Sequence, residues 1–281
     1  MELYKIPDII KFAKNTEKQL NCKIYAVGGF VRDNILGLKS IDLDFVVEGN
    51  AIVVANHFYQ KLGGKLTVYK KFFTASLKLK NGFVIDFATA RTEKYPTPAS
   101  MPVVSLSVLK KDLFRRDFTI NAMAIPVTHY PLPVTDVIDP CGGLNDIKNK
   151  LIRVLHKKSF IDDPTRILRA IRYSYRFGFK IEKNTEKWLT SAIKKNLLSL
   201  VSAPRIRDEF IKSLEEKNTK EILKELKKRG VLKYINNNLN ISAILAKNEP
   251  LRTRLKKLLK NFSEEQRKSF LQKLCLPSEI S

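Results

Sequence analysis

Between Tyr25 and Val47 the chain reads YAVGGFVRDNILGLKSIDLDFVV, an order of residues that few folds accommodate. The apolar run Ile24–Val27 predicts a buried strand, Gly28 and Gly29 follow, and a helix opens at Phe30. A second strand then carries Asp42 and Asp44. Side chains at i and i+2 of a strand share a face. The two carboxylates therefore project together, while Leu43 and Phe45 point into a core. Like charges at that spacing repel unless a cation sits between them, and an all-oxygen donor set suits magnesium. A bare Asp-x-Asp also fits a surface strand with polar residues at alternate positions, so the Gly-Gly turn adds the second half of the argument. Two glycines between strand and helix let the backbone come close to a phosphate, which the helix N-terminus attracts. Arg32, in the first turn of that helix, is placed to reach the same anion. An anion turn beside an acidic strand is what phosphoryl or nucleotidyl transfer needs.

The length of 281 residues predicts about two domains. The formal charge of +24, from 52 basic and 28 acidic residues, points to a polyanionic partner, nucleic acid before membrane. The excess is densest at 140–205, with 15 basic and 5 acidic residues. No apolar run reaches the length of a membrane span, and MELYKIPDIIKFAK does not read as a signal peptide. Cys22, Cys141 and Cys275 are odd in number and far apart, which argues against a disulfide scaffold or a zinc site. The expectation is a cytoplasmic protein with no membrane contact.

Along the chain, helices are predicted at 7–20 and at Ala51–Leu62, the second stopped by Gly63-Gly64. Gly63-Gly64-Lys65 lacks the upstream glycine and the following Ser or Thr of a P-loop. Strands follow at Lys65–Tyr69, Phe73–Leu79 and Phe83–Ala88, the last two joined by the hairpin signal Lys80-Asn81-Gly82. The mixture predicts an α+β, mixed-sheet first domain rather than a doubly wound one. Asp86 falls on a strand that can lie beside Asp42 and Asp44. It is either a third carboxylate of the site or a strand-end partner for Arg91. Residues 91–107, with Pro96, Pro98 and Pro102, read as a long functional loop. Arg115, Arg116 and Asp117 precede an apolar segment read as helical. Beside a nucleotide site the arginine pair would hold phosphates, with Asn121 one turn on. Asp139–Asp146 is a turn-rich boundary, and from Ser159 the chain reads as almost wholly helical, with a polar connector at 236–250.

In the helix predicted over 160–179, Arg166, Arg169, Arg172 and Arg176 share one sector at about 100° per residue. Asp163 lies one turn before Arg166, so an acceptor and a donor stand side by side. A carboxylate accepts from the exocyclic amine of cytosine or adenine, and a guanidinium donates to the adjacent ring nitrogen. Guanine and uracil present the opposite pattern there, so such a pair admits C and A and rejects G and U.

Five motifs, GGFVRDNILG with DLD (28–44), RRDFTINAMA (115–124), DPCGGLNDI (139–147), DDPTRILRAIRY (162–173) and PRIRDEFIKSL (204–214), resemble the class II tRNA nucleotidyltransferases, the family of CCA-adding enzymes and bacterial poly(A) polymerases. The resemblance implies a DNA-polymerase-beta-like head at 1–138, an all-α nucleotide-selecting neck at 139–204 and a partial RNA-binding helical body at 205–281. It implies template-independent addition of CMP and/or AMP to a tRNA 3′ end from CTP and/or ATP. By motif, Asp42 and Asp44 would be catalytic and bind Mg2+. The nucleotide would be held by Gly28, Gly29, Arg32, Arg116, Asp117, Asn121, Asp163, Arg166, Arg169 and Arg172. Asp86 has no secure family role, and the loop at 91–108 is expected to bear on the choice of product. Asp162 stands where the family usually has Glu. The helical region after the neck is short for the family, so either the grip on RNA is reduced or the chain is partial. A poly(A) polymerase shares the chemistry, and a non-catalytic basic RNA-binding protein is the reading outside it.

Overall fold

The computed structural model describes residues 5–40, 42–129, 136–244 and 249–276. The chain divides into two compact units, one of 1–94 with 102–149 and the other of 95–101 with 150–281. The turn-rich segment Asp139–Asp146 thus lies within the first unit, where Gly143 N and Leu144 N donate to the Asp139 carboxylate at 2.8 and 2.9 Å.

The first unit runs α1 (Ile6–Gln19), β1 (Lys23–Val27), α2 (Gly29–Ile35), β2 (Asp42–Glu48), α3 (Ala51–Leu62), β3 (Lys65–Tyr69), β4 (Thr74–Lys78) and β5 (Val84–Thr89). It continues through β6 (Arg91–Lys94), β7 (Val103–Leu106), α4 (Leu109–Phe114), β8 (Ala124–Pro126) and α5 (Gly143–Lys148). Among the described residues, six strands form one sheet in the order β3-β4-β5-β2-β1-β8. The β2–β5 pair is parallel and the other pairs are antiparallel. Helix α3 begins where the Asn50 side chain accepts from Ile52 N and Val53 N, satisfying two orphan donors of the first turn. It ends at Gly63, which takes φ +67°.

Alternation along β1, β2 and β5 sorts the sheet's two faces. Ile24, Ala26, Leu43, Phe45, Ile85 and Phe87 are buried on one face together with Phe58 of α3 and Ile9 of α1. On the other face Tyr25, Val27, Val46 and Ala124 pack with Leu109 and Leu113 of α4. The first face is the main core, as the sequence predicts from Leu43 and Phe45. The second is only partly covered, and the acidic residues emerge on that uncovered part.

The 91–107 loop contains a two-stranded ribbon, β6 paired antiparallel with β7, so the proline-rich stretch is only its connection. Main-chain pairing of Arg91 with Leu106 through to Lys94 with Val103 satisfies the backbone across the ribbon, a pairing that local loop composition does not reveal. The segment after Arg116 is not a helix but a single 3-10 turn, Thr119–Asn121, running into β8. Main-chain bonding to β1 outweighs its helical pattern.

The second unit contains β9 (Leu151–Ile152), α6 (Ser159–Asp162), α7 (Arg166–Phe177), β10 (Lys180–Ile181) and α8 (Lys183–Lys194). It ends with α9 (Ala203–Glu215), α10 (Thr219–Lys228), α11 (Leu251–Leu258) and α12 (Glu264–Lys273). It is helical as expected apart from the short parallel pair β9–β10. The polar connector expected at 236–250 holds a 3-10 turn at Ile241–Ala243, and its residues 245–248 lie outside the described ones. The helix read over 160–179 is broken: Asp163 takes an extended conformation after α6, and α7 starts only at Arg166. Proline at 164 disfavours helical geometry in the residue before it, which accounts for the break.

Candidate active site

In the first unit, register builds a row across the sheet. Val27 of β1 is opposite Asp44 of β2, Asp44 is opposite Asp86 of β5, and Asp86 is opposite Ser76 of β4. In-register neighbours point to the same side of a sheet, so Asp44 and Asp86 share the uncovered face, with exposed Asp42 two residues before Asp44. A cavity of about 320 Å3 opens over this row, lined by Asp44, Asp86, Ser76, Tyr69, Arg115 and Arg116 among others. Asp86, read from sequence as either a site carboxylate or a partner for Arg91, is therefore at the cavity. Arg91 instead engages Glu93, at 3.0 Å, and the Phe72 carbonyl.

The Gly-Gly turn stands at the end of β1, beside Asp44. Gly28 takes φ +67°, and a Cβ on it would lie 2.9 Å from Arg116 Nη1 and 3.4 Å from Asp44 Oδ2. Gly29 opens α2, and a Cβ there would meet Arg32 Nη2 at 3.4 Å. Two guanidinium groups thus close on the turn, one at each glycine. Arg32 is buried and donates to Asp33 Oδ1 at 2.8 Å and to Asn121 Oδ1. Asn121 Nδ2 donates in turn to Asp117 Oδ1 at 2.9 Å. Asp117 and Asn121 are buried, and this run of bonds ends on Arg32. Arg116 Nη2 donates to Asp112 at 3.1 Å, and its buried Nε has no partner among the described residues.

Sequence reasoning passed over Asp112. It is fully buried and takes both Arg115, at 2.7 Å, and Arg116. Arg115 also reaches Glu93 of β6 at 2.7 Å. The signal was present, since Asp112 and Arg116 stand at i and i+4, the spacing of neighbours on one helix face. Together these contacts hold the arginine pair over the cavity. Burial, then the charge of Asp42, raises the Asp44 carboxyl to about 6; Asp86 adds to the rise, and Arg116 and Arg32 oppose it. Crowded carboxylates of this kind favour a bound cation. Among the described residues no three acidic, His or Cys side chains form a ready ligand cluster. Asp42 and Asp44, on the same face, are the side chains here that could hold a divalent cation.

In the second unit, Asp163 and Arg166 are adjacent, with Arg166 N donating to the Asp163 carbonyl at 3.1 Å. Arg166 is buried, and its Nη1 donates to Ser159 Oγ at 2.6 Å. The basic sector of α7 is not an open solvated face, because α9 and its C-terminal capping residue Glu216 supply acids to it. Arg169 and Arg172 each bond Glu209 at 3.0 Å, and Arg172 and Arg176 reach Glu216 at 3.3 and 3.6 Å. Burial pushes the Glu209 carboxyl up, but Arg169, Arg172 and Lys212 outweigh it and hold it below the usual range. A carboxyl depressed in the folded state adds stability above its unfolded value, near 4.5, and loses it as pH falls through the folded value. Glu209→Gln is expected to lower stability by roughly 3 kcal/mol at neutral pH, since it strands buried Arg172. Its melting temperature should fall less steeply with acid below pH 4.5 than that of the wild-type chain. Parallel acid melting curves for the two would refute this account.

A model of the poly A polymerase head domain matches residues 24–153, and one of the probable RNA and SrmB-binding site of polymerase A matches 178–241. The chain is 37% identical to the Thermotoga maritima CCA-adding enzyme complexed with tRNA-CCA, with a TM-score of 0.74 over 97% of this chain and 67% of that one. The chain belongs to this poly(A) polymerase and tRNA nucleotidyltransferase family. It is 36% identical to a tRNA nucleotidyltransferase complexed with a primer tRNA and an incoming ATP analogue, with a TM-score of 0.75 over 95% of this chain and 80% of that one. It is 46% identical over 213 residues to the A-adding tRNA nucleotidyltransferase of Aquifex aeolicus, which covers 76% of this chain and 26% of the relative. The chain spans between about a quarter and a half of the length of the curated relatives it matches. Family membership bears out the α+β, mixed-sheet nucleotidyltransferase head read from the motifs. Among the described residues no helix is long and apolar enough to cross a membrane.

Proposed function

We propose that this chain adds CMP and/or AMP to the 3′ end of tRNA without a template, using CTP and/or ATP. The observation that carries the reading is the Asp44–Asp86 row and Arg116 at one cavity, with the Gly28 turn packed directly against Arg116 and Asp44. In the reaction the terminal 3′ oxygen bonds to the α-phosphorus. The bond from that phosphorus to the bridging oxygen breaks, and pyrophosphate leaves. Gly28 and Gly29 present backbone to the triphosphate at close range, and Arg115 and Arg116 offset its charge from the cavity wall. Asp42 and Asp44 would hold Mg2+, which when bound supplies Lewis-acid stabilisation to the α-phosphate and the leaving pyrophosphate. Asp86, on the same face, is placed to accept the proton of the attacking hydroxyl.

Within this reading Asp163 and Arg166 select the base, and Arg169 and Arg172 support the selecting helix. The proposed division is a head at 1–138, a neck at 139–204 and a body at 205–281, with 139–149, the start of the neck, belonging to the first compact unit. The +24 charge supports backbone-dominated, salt-dependent RNA binding, and work on tRNA implies a cytoplasmic location. The name of the Aquifex relative favours AMP addition. Incubation with tRNA lacking its 3′ end and with CTP, ATP or both tests the proposal. Extension by one to three defined residues is the expected product. An open-ended A tail would make the chain a poly(A) polymerase, and no incorporation of any nucleotide would leave only a basic RNA-binding protein.

A further inference from the structure

The motif at 204–214 forms most of α9. The structure shows what it touches. Arg205, in the first turn of α9, sends Nη2 to Asp163 Oδ1 at 2.7 Å and Nη1 to the Ala99 carbonyl at 2.7 Å. Ala99 is itself held, donating from its backbone N to the carbonyl of Ile161, two residues before Asp163, at 3.2 Å. The same oxygen of Asp163 also accepts from Thr165 N at 3.0 Å and from Thr165 Oγ1 at 2.6 Å. Three donors therefore converge on Oδ1, and none among the described residues engages Oδ2.

A carboxylate oxygen has two lone-pair sites, so Oδ1 is fully subscribed. The terminal torsion of an aspartate is otherwise broad and roughly two-fold, so without these donors the carboxylate plane would not be set. We propose that Arg205 is a specificity-positioning residue: it saturates Asp163 Oδ1 and presents Oδ2 as the single acceptor for the exocyclic amine of the incoming base. This rests on the assignment of Asp163 to base selection made above. Arg205 does not touch the nucleotide in this account. It fixes the angle and position of the acceptor relative to the Arg166 donor, and a base without a donor at that point finds no alternative geometry. The Ala99 carbonyl keeps the Arg205 guanidinium in one orientation, so the acceptor does not swing with solvent.

The test measures kcat/KM for each of the four nucleoside triphosphates singly, on tRNA lacking its 3′ end, with the full chain. The readout is the ratio of the accepted nucleotide, CTP or ATP, to UTP and GTP. Arg205→Gln is expected to lower that ratio about tenfold, the loss expected for one hydrogen bond to a charged group. Thr165→Val, which removes one neutral donor from the same oxygen, is expected to lower it about threefold. Asp163→Ala serves as the control for the underlying reading. If Asp163→Ala lowers the ratio while Arg205→Gln slows all four nucleotides equally, Arg205 is only a structural ion pair and the inference fails alone. If Asp163→Ala leaves the ratio unchanged, base selection by Asp163 fails and the inference with it. Should Arg205→Gln not fold, the Thr165→Val ratio decides on the same terms.

Discussion

Replacing Asp44 by asparagine is expected to abolish nucleotide incorporation while leaving the chain folded. The substitution keeps the shape of the side chain and removes one of two charges that would hold the cation. Metal stabilisation of transition-state charge is worth several kcal/mol, and each 1.4 kcal/mol is a factor of ten in rate. The loss in kcat/KM should therefore be at least about a thousandfold. Stability should not follow it down, because burial and the neighbouring Asp42 charge already disfavour an ionised Asp44 in the folded chain. An unchanged or slightly higher melting temperature together with undiminished RNA binding is the expected pattern. Activity within tenfold of the wild-type chain would remove Asp44 from the reaction.

Gly28→Ala should produce the second largest effect, by a different route. At φ +67° and ψ −128° the backbone is in a region open to glycine and strained for alanine. The new Cβ would lie 2.9 Å from Arg116 Nη1, so either the turn or the guanidinium must move. A displacement of about 1 Å at a reacting centre is enough for a hundredfold loss, and a fall of that order in kcat/KM is expected. The accompanying loss of stability should be about 1–2 kcal/mol. Because Asp112 anchors the far side of Arg116, the displaced group has little room to relax. Full activity in Gly28→Ala would show that close approach at this turn is not used.

Much of this was legible before the structure. Strand–turn–helix–strand signals between Ile24 and Val47 are local, and so is the alternation that puts Leu43 and Phe45 opposite Asp42 and Asp44. What was not legible depended on partners distant in sequence. The 91–107 stretch reads as a loop because β6 and β7 have no core face of their own, and only their mutual pairing makes them strands. Asp86 had two readings until register placed it opposite Asp44. Arg205 and Glu209 could be assigned to a motif but not to Asp163, Arg169 and Arg172, since nothing in their spacing states which helix α9 will meet. Asp163 itself was read as part of one long helix with Arg166. The proline between them releases its backbone, which lets its side chain turn back onto Thr165.

The parallel pairing of β2 with β5 also bears on how the protein comes to be active. Every other contact within β3–β4–β5 is a hairpin between neighbours, which forms quickly because little chain entropy is lost in closing it. Joining β2 to β5 instead encloses α3 and the whole β3–β4 hairpin, and this is the step that sets Asp44 beside Asp86. Helical signal should thus recover early in refolding and nucleotide incorporation late, with the carboxylate row emerging only once the long-range closure is made. A nascent chain still lacking β5 would carry Gly28, Gly29, Asp42 and Asp44 in full and yet have no reaction centre.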